Sequence, residues 1–148
     1  MGIKYSLGGL YVQSIVKHVS IKALSIIRNN VPNAVIPGKG VDYDYDKSRK
    51  GLGIIREHVI PVEALFQYFE ELHKKHALTE QTILDFLPKL EIAIITKEEN
   101  KKFKGGLSNK MLDGWWESSA RDPFDRYRAA GLDDSIWATE LLPNTATK

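Results

Sequence analysis

The chain has no cysteine among its 148 residues. That one absence excludes disulfide stapling, a cysteine zinc site and a thiol nucleophile together. It is in keeping with a cytoplasmic protein. Long apolar runs are lacking too, so no segment reaches membrane-spanning length and no membrane partner is expected. The N-terminus, MGIKYSLGGLYVQSIVKHV, has neither a long apolar core nor a small-residue cleavage site, so no signal peptide is expected. An excess of one charge is also missing. The 21 basic and 19 acidic side chains leave a formal net charge of +2, too balanced to mark a nucleic-acid partner by itself.

Other absences narrow the chemistry. GGLSNKMLDGWW is glycine-rich but lacks the G-x-x-x-x-G-K-[ST] spacing of a phosphate loop. No G-x-S-x-G elbow supports a serine hydrolase. Asp42, Asp44 and Asp46 alternate as in a calcium loop, yet Lys47 and Gly53 stand where that loop needs a glycine and an acid. There is no internal repeat and no low-complexity segment.

What is present is an ordinary globular composition, 43% hydrophobic and 27% charged. That suffices for one domain with a proper core. We place it over 1–142, with a frayed tail over 143–148. Apolar residues at helical spacing predict a first helix from Tyr11 to Arg28, ended by Asn29-Asn30-Val31-Pro32. The stretch 31–53, punctuated by prolines and glycines, reads as loops. Ile54–Ile60 reads as a strand. Val62, Leu65, Phe69 and Leu72 form the stripe of a strong amphipathic helix, and a short helix from Thr79 to Leu87 precedes Pro88. Leu90–Ile95 is short, branched and almost wholly apolar, which predicts a central strand. Thr96 and Glu99 form a capping box for the next helix. Asp122-Pro123 predicts the start of another, which runs to a glycine cap at Gly131. The fold class is therefore α+β: a small mixed or antiparallel sheet with several packed helices in a single domain. Trp115, Trp116, Phe124, Tyr127 and Trp137 read as a core or interface cluster.

One segment stands out chemically. IREHVIPV (55–62) sets Arg56, Glu57 and His58 inside an apolar strand. Alternation sends Glu57 to one face and Arg56 and His58 to the other. Polar groups in such a place need partners, since leaving one unsatisfied costs about 1–3 kcal/mol. Glu57 could simply pair with a surface lysine. The second segment is LEIAII running into TKEENKKF. Asn100 shares a helix face with Phe103, the expected anchor to the core, and so leans inward.

E-H-V-I-P resembles the acid–His–aliphatic–x–Pro segment of the HNH, or ββα-metal, nuclease superfamily. T-K-E-E-N-K-K-F is similar to the helix that closes that motif. The resemblance covers about 56–104. It implies His58 as general base, Glu57 and Asn100 as ligands of a divalent metal (magnesium or manganese), and a nucleic-acid substrate, DNA or RNA. Arg56, Lys97, Lys101 and Lys102, with Lys104, would then contact phosphates. The chain departs from the family pattern where Leu90-Glu91 replaces the usual middle asparagine. It departs again in the helical stretch Val62–Lys89.

The residues leave three readings open. One is the metal-dependent nuclease. Another is a phage- or mobile-element-borne binding or inhibitor module, with a protein partner or a second copy of the chain. The third is a metal-independent ribonuclease toxin with His58 as base and Arg56 on the phosphate.

Overall fold

Strand β3 (Ile92–Thr96) is buried at every position. Among the described residues it lies at the centre of a three-stranded sheet, between β1 (Val16–Val19) and β2 (Ile54–His58). Its apolar side chains point alternately to two covered faces, which is why its sequence shows no polar alternation. This is a computed structural model, and it describes residues 16–30 and 51–138. Strand β1 (Val16–Val19) pairs with β3 in parallel, and β2 (Ile54–His58) pairs with it antiparallel. The sheet is thus mixed, and the fold is α+β.

Five α-helices surround the sheet among the described residues: α1 (Ile21–Asn30), α2 (Val62–Lys74), α3 (Glu80–Phe86), α4 (Lys97–Asn100) and α5 (Asp125–Ala129). On one face α1 covers Ile92 and Ile94, packing Ala23, Leu24 and Ile27 against them beside Val16, Val19 and Ile54. On the other face Ala93 and Ile95 meet Phe103, Tyr127 and Leu132. A third cluster lies beyond the sheet, where α2 presents Leu65 and Phe69 to Phe86, Met111 and Trp115. The aromatic residues are therefore largely core. Trp115 is buried and donates its indole N–H to the Asp122 carbonyl at 2.9 Å. Trp116 stacks on Tyr68 with ring centroids 4.3 Å apart.

The first expected helix is corrected. Val16–Val19 is a strand, and the helix starts only at Ile21. A bulge between Val16 and His18 explains the misreading. The extra residue turns Val16 and Val19 to the same face, opposite Ile92 and Ile94, so a strand shows the three-residue spacing of a helix. Ser20 then ends the strand and caps α1, its hydroxyl accepting the Ala23 N–H at 3.1 Å. The last helix is also shorter than expected. Asp122 accepts the Phe124 N–H at 2.9 Å, but Asp122–Phe124 forms a turn and α5 begins at Asp125. Gly131 closes it at φ +85°, with the Leu132 N–H reaching the Tyr127 carbonyl at 2.9 Å. The proposed helix start over 11–15, the loop over 31–50 with its three aspartates, and the tail over 143–148 lie outside the described residues.

Candidate functional site

Strand β2 sorts the charged triplet by simple alternation. Glu57 pairs across the ladder with Ala93, Arg56 with Ile94 and His58 with Ile92. Glu57 therefore lies on the α5 face, and Arg56 and His58 lie on the α1 face. The two positions on the α1 face are two residues apart, or about 7 Å along the strand. Arg56 is exposed and His58 is half-buried on an edge strand.

Glu57 does not pair with a surface lysine. Its partner is Arg126, whose guanidinium is completely buried and donates to the Glu57 carboxylate. The same guanidinium donates to three carbonyls, of Leu107 at 2.7 Å, His58 at 2.9 Å and Val59 at 3.1 Å. It also lies 4.3 Å from the Phe103 ring centroid. Arg126 thus ties α5 to the end of β2 through both charge and hydrogen bonds. Burial raises the Glu57 carboxyl above its ordinary value, and the charge and hydrogen bond of Arg126 pull it back. Beside this pair, the Tyr127 hydroxyl is buried with no hydrogen-bond partner among the described residues. Burial pushes it well above its ordinary value, and the Glu57 carboxylate adds to the shift.

His58 behaves oppositely. Burial, together with the charges of Arg56 and Arg126, lowers its imidazole from 6.5 to about 4. It is neutral at physiological pH, a state that accepts a proton.

Asn100 is half-buried, as expected, and Phe103 is the buried anchor. The capping box forms in full: the Thr96 N–H donates to Glu99 at 2.9 Å and the Glu99 N–H donates to the Thr96 hydroxyl at 3.0 Å. But α4 grows from the wrong end of the ladder to meet His58. Thr96 pairs with Ile54, and the Lys97 N–H donates to the Gly53 carbonyl at 2.8 Å. Four residue steps along the strand separate Ile54 from His58, about 13 Å. Glu57, His58 and Asn100 consequently do not converge. Glu57 faces Arg126 on one side of the sheet, His58 faces the other side, and Asn100 stands beyond the far end of β2. In this arrangement the three donors do not fit one metal ion, so no step is routed through one. Lys97, Lys101 and Lys102 are exposed at that same far end.

Three interacting residues were not evident from the sequence. Arg126 is one. Ser20 is another, donating to the Glu99 carboxylate at 2.6 Å and so joining the start of α1 to the start of α4. The third is His18 on β1, with Nε2 3.4 Å from a Glu91 carboxylate oxygen and its ring 4.7 Å from Phe124. Only Arg126 had a signal: a carboxylate inside an apolar strand demands a buried cation somewhere.

Comparison with known protein families, with curated proteins and with solved structures finds no match.

Proposed function

We propose that the protein is a small nuclease whose working groups lie on one face of β2, with Arg56 holding a phosphodiester and His58 accepting the proton of the attacking hydroxyl. The observation that carries this reading is the shared face of Arg56 and His58, with Glu57 turned away and bound by Arg126. Arg56 is exposed and free to meet an anion, while half-burial keeps His58 neutral. A phosphate on Arg56 would cancel part of the positive field at His58. That would move the imidazole back toward the range where it is an effective base. Substrate binding would thus switch on the base. Lys97, Lys101 and Lys102 would follow the polymer along the edge of the sheet. The resemblance to the ββα-metal nucleases supports this reading through His58, not through the metal ligands it implies. A cytoplasmic site of action fits a chain without cysteine.

The test is direct. Purified protein is incubated with plasmid DNA and with total RNA, in magnesium, in manganese and in EDTA, beside His58→Gln and Arg56→Ala. Cutting in EDTA that both variants lose supports the reading. Cutting only with metal would restore the metal-dependent nuclease. No cutting of either polymer would remove catalysis and favour a binding module. One surface supports that second reading: a groove of about 420 Å³ between α2 and the segment 110–117, edged by Tyr68, Leu72, Lys75, Lys110 and Trp116.

A further inference from the structure

We infer that the cleft between α1 and Trp137–Ala138 is a binding site for a small molecule with a flat apolar body and one anionic group, of the aromatic carboxylate class. The inference is independent of the nuclease reading. Arg56 and His58 lie on β2, and this cleft opens at the other edge of the sheet, beside β1.

Both walls of the cleft are tied to Ser20. Its hydroxyl accepts the Ala23 N–H at 3.1 Å and caps α1. Its backbone bridges antiparallel to Trp137, and the Ala138 N–H donates to the Val19 carbonyl at 2.9 Å. Between the helix and this returning segment lies a space of about 400 Å³. That is within the range of small-molecule sites, about 300–1,000 Å³. Trp137 is a firm wall of it. Phe124 and Tyr127 pack against the indole, each with its ring centroid 5.5 Å away.

The chemistry of the lining selects the ligand. Ile21, Leu24 and Trp137 supply apolar surface, and Ser25 and Asn29 supply polar groups. Among the described residues Arg28 is the one charged side chain that lines the cleft. Arg28 is exposed and has no ion pair among the described residues. Ile21 is 55% exposed, so its apolar surface is open to a ligand. Ile21 and Arg28 stand two helical turns apart on one face of α1, about 10.5 Å along its axis. A ligand with its apolar body at Ile21 and Trp137 and its anion at Arg28 satisfies both ends. A planar carboxylate matches the planar guanidinium through two parallel hydrogen bonds. A flat ring gives the indole an aromatic partner. An apolar cation would be repelled by Arg28, with no carboxylate among the described lining residues to offset it.

The experiment is calorimetric titration of the full chain with three probes of one shape: naphthoate, naphthamide and naphthylmethylammonium. Naphthoate should bind, the neutral amide about 10-fold more weakly, and the ammonium more weakly still. Arg28→Gln should bring naphthoate down to the level of the amide and leave the amide unchanged. Ile21→Ser should weaken the acid and the amide alike. Both substitutions are at exposed positions, and the comparison of acid with amide on the wild type needs no variant. Amide chemical shifts should move at Ser25, Asn29 and Ala138. Absence of naphthoate binding, equal affinity for acid and amide, or an affinity for naphthoate that survives Arg28→Gln would each overturn the inference. So would shifts centred on the groove beside Tyr68 and Trp116 instead. None of these outcomes depends on whether the protein cleaves nucleic acid.

Discussion

Arg126 and Glu57, 69 residues apart in the chain, form an ion pair in which the guanidinium has no exposure to solvent at all. Its carboxylate partner keeps 16% of its side-chain surface exposed. Such a pair stabilises little relative to an apolar replacement of both partners, but removing one partner strands the other. Arg126→Met should therefore destabilise the protein by about 3–5 kcal/mol, measured by urea unfolding. Glu57→Gln should cost less, because the amide oxygen still accepts a hydrogen bond. Its cleavage per folded molecule should be retained. A Glu57→Gln protein of full stability and no activity would show that the carboxylate works in chemistry instead.

Ser20 and Glu99 join two helix starts through a single carboxylate oxygen. That oxygen accepts from the Ser20 hydroxyl at 2.6 Å and from the Thr96 N–H at 2.9 Å. Ser20→Ala removes a helix cap and one partner of a buried carboxylate. We expect a loss of about 2 kcal/mol. The two substitutions Ser20→Ala and Glu99→Gln should not add. A double-mutant cycle should return a coupling of about 1 kcal/mol or more, and additive effects would mean that the bond is not formed in solution.

Local features of this fold were legible in the sequence, and distant ones were not. The capping box at Thr96 was readable because both partners fall within one turn. So was the central strand, because burial on both faces leaves IAII without polar alternation. The stripe of α2 follows from a clean helical period, and Leu65 and Phe69 are indeed in the core. Val16–Val19 was misread because a bulge in a strand and a turn of helix place residues three apart on the same side. Glu57 signalled a buried cation, but nothing singled out Arg126 as that cation. A charged residue between Asp125 and Tyr127 reads as the wet side of a helix, and only the tertiary fold supplies the carboxylate and the carbonyls that let it be buried. The site suffered likewise. Alternation correctly parted Glu57 from His58. The distance to Asn100, however, depends on the register of β2 against β3, which one sequence does not give.

Helix α2 ends on a residue that strains the backbone. His76 has φ +56°, and the Ala77 N–H reaches back to the Leu72 carbonyl at 2.8 Å. This is the left-handed helix end that glycine favours. His76 is exposed, so its side chain gives nothing back through burial. His76→Gly should raise stability by about 0.5–1 kcal/mol. Lys75→Gly, one residue earlier at φ −88°, should lower it. Thermal unfolding of the two variants checks the pair, and equal signs would show that the left-handed turn is not populated.

His58 makes stability depend on pH in a direction that can be worked out. Its imidazole is at about 4 in the folded protein and near 6.5 when unfolded. Between these values the unfolded chain binds more protons, so stability falls as the pH falls. The contribution is fully present above the unfolded value and is lost as the pH drops toward the folded one, by about 3 kcal/mol at most. Glu57 acts with the opposite sign. Its folded value is raised, so its contribution is fully present below its unfolded value and is lost as the pH rises through the folded one. The two overlap in the acid range, and only a variant separates them. Urea unfolding of the wild type and His58→Gln should show the stability difference shifting in favour of the variant from about pH 7 to about pH 4. If the difference is flat, the imidazole protonates as easily folded as unfolded. The substrate-switched base would then lose its physical ground, because His58 would already have the strength that a bound phosphate was proposed to restore.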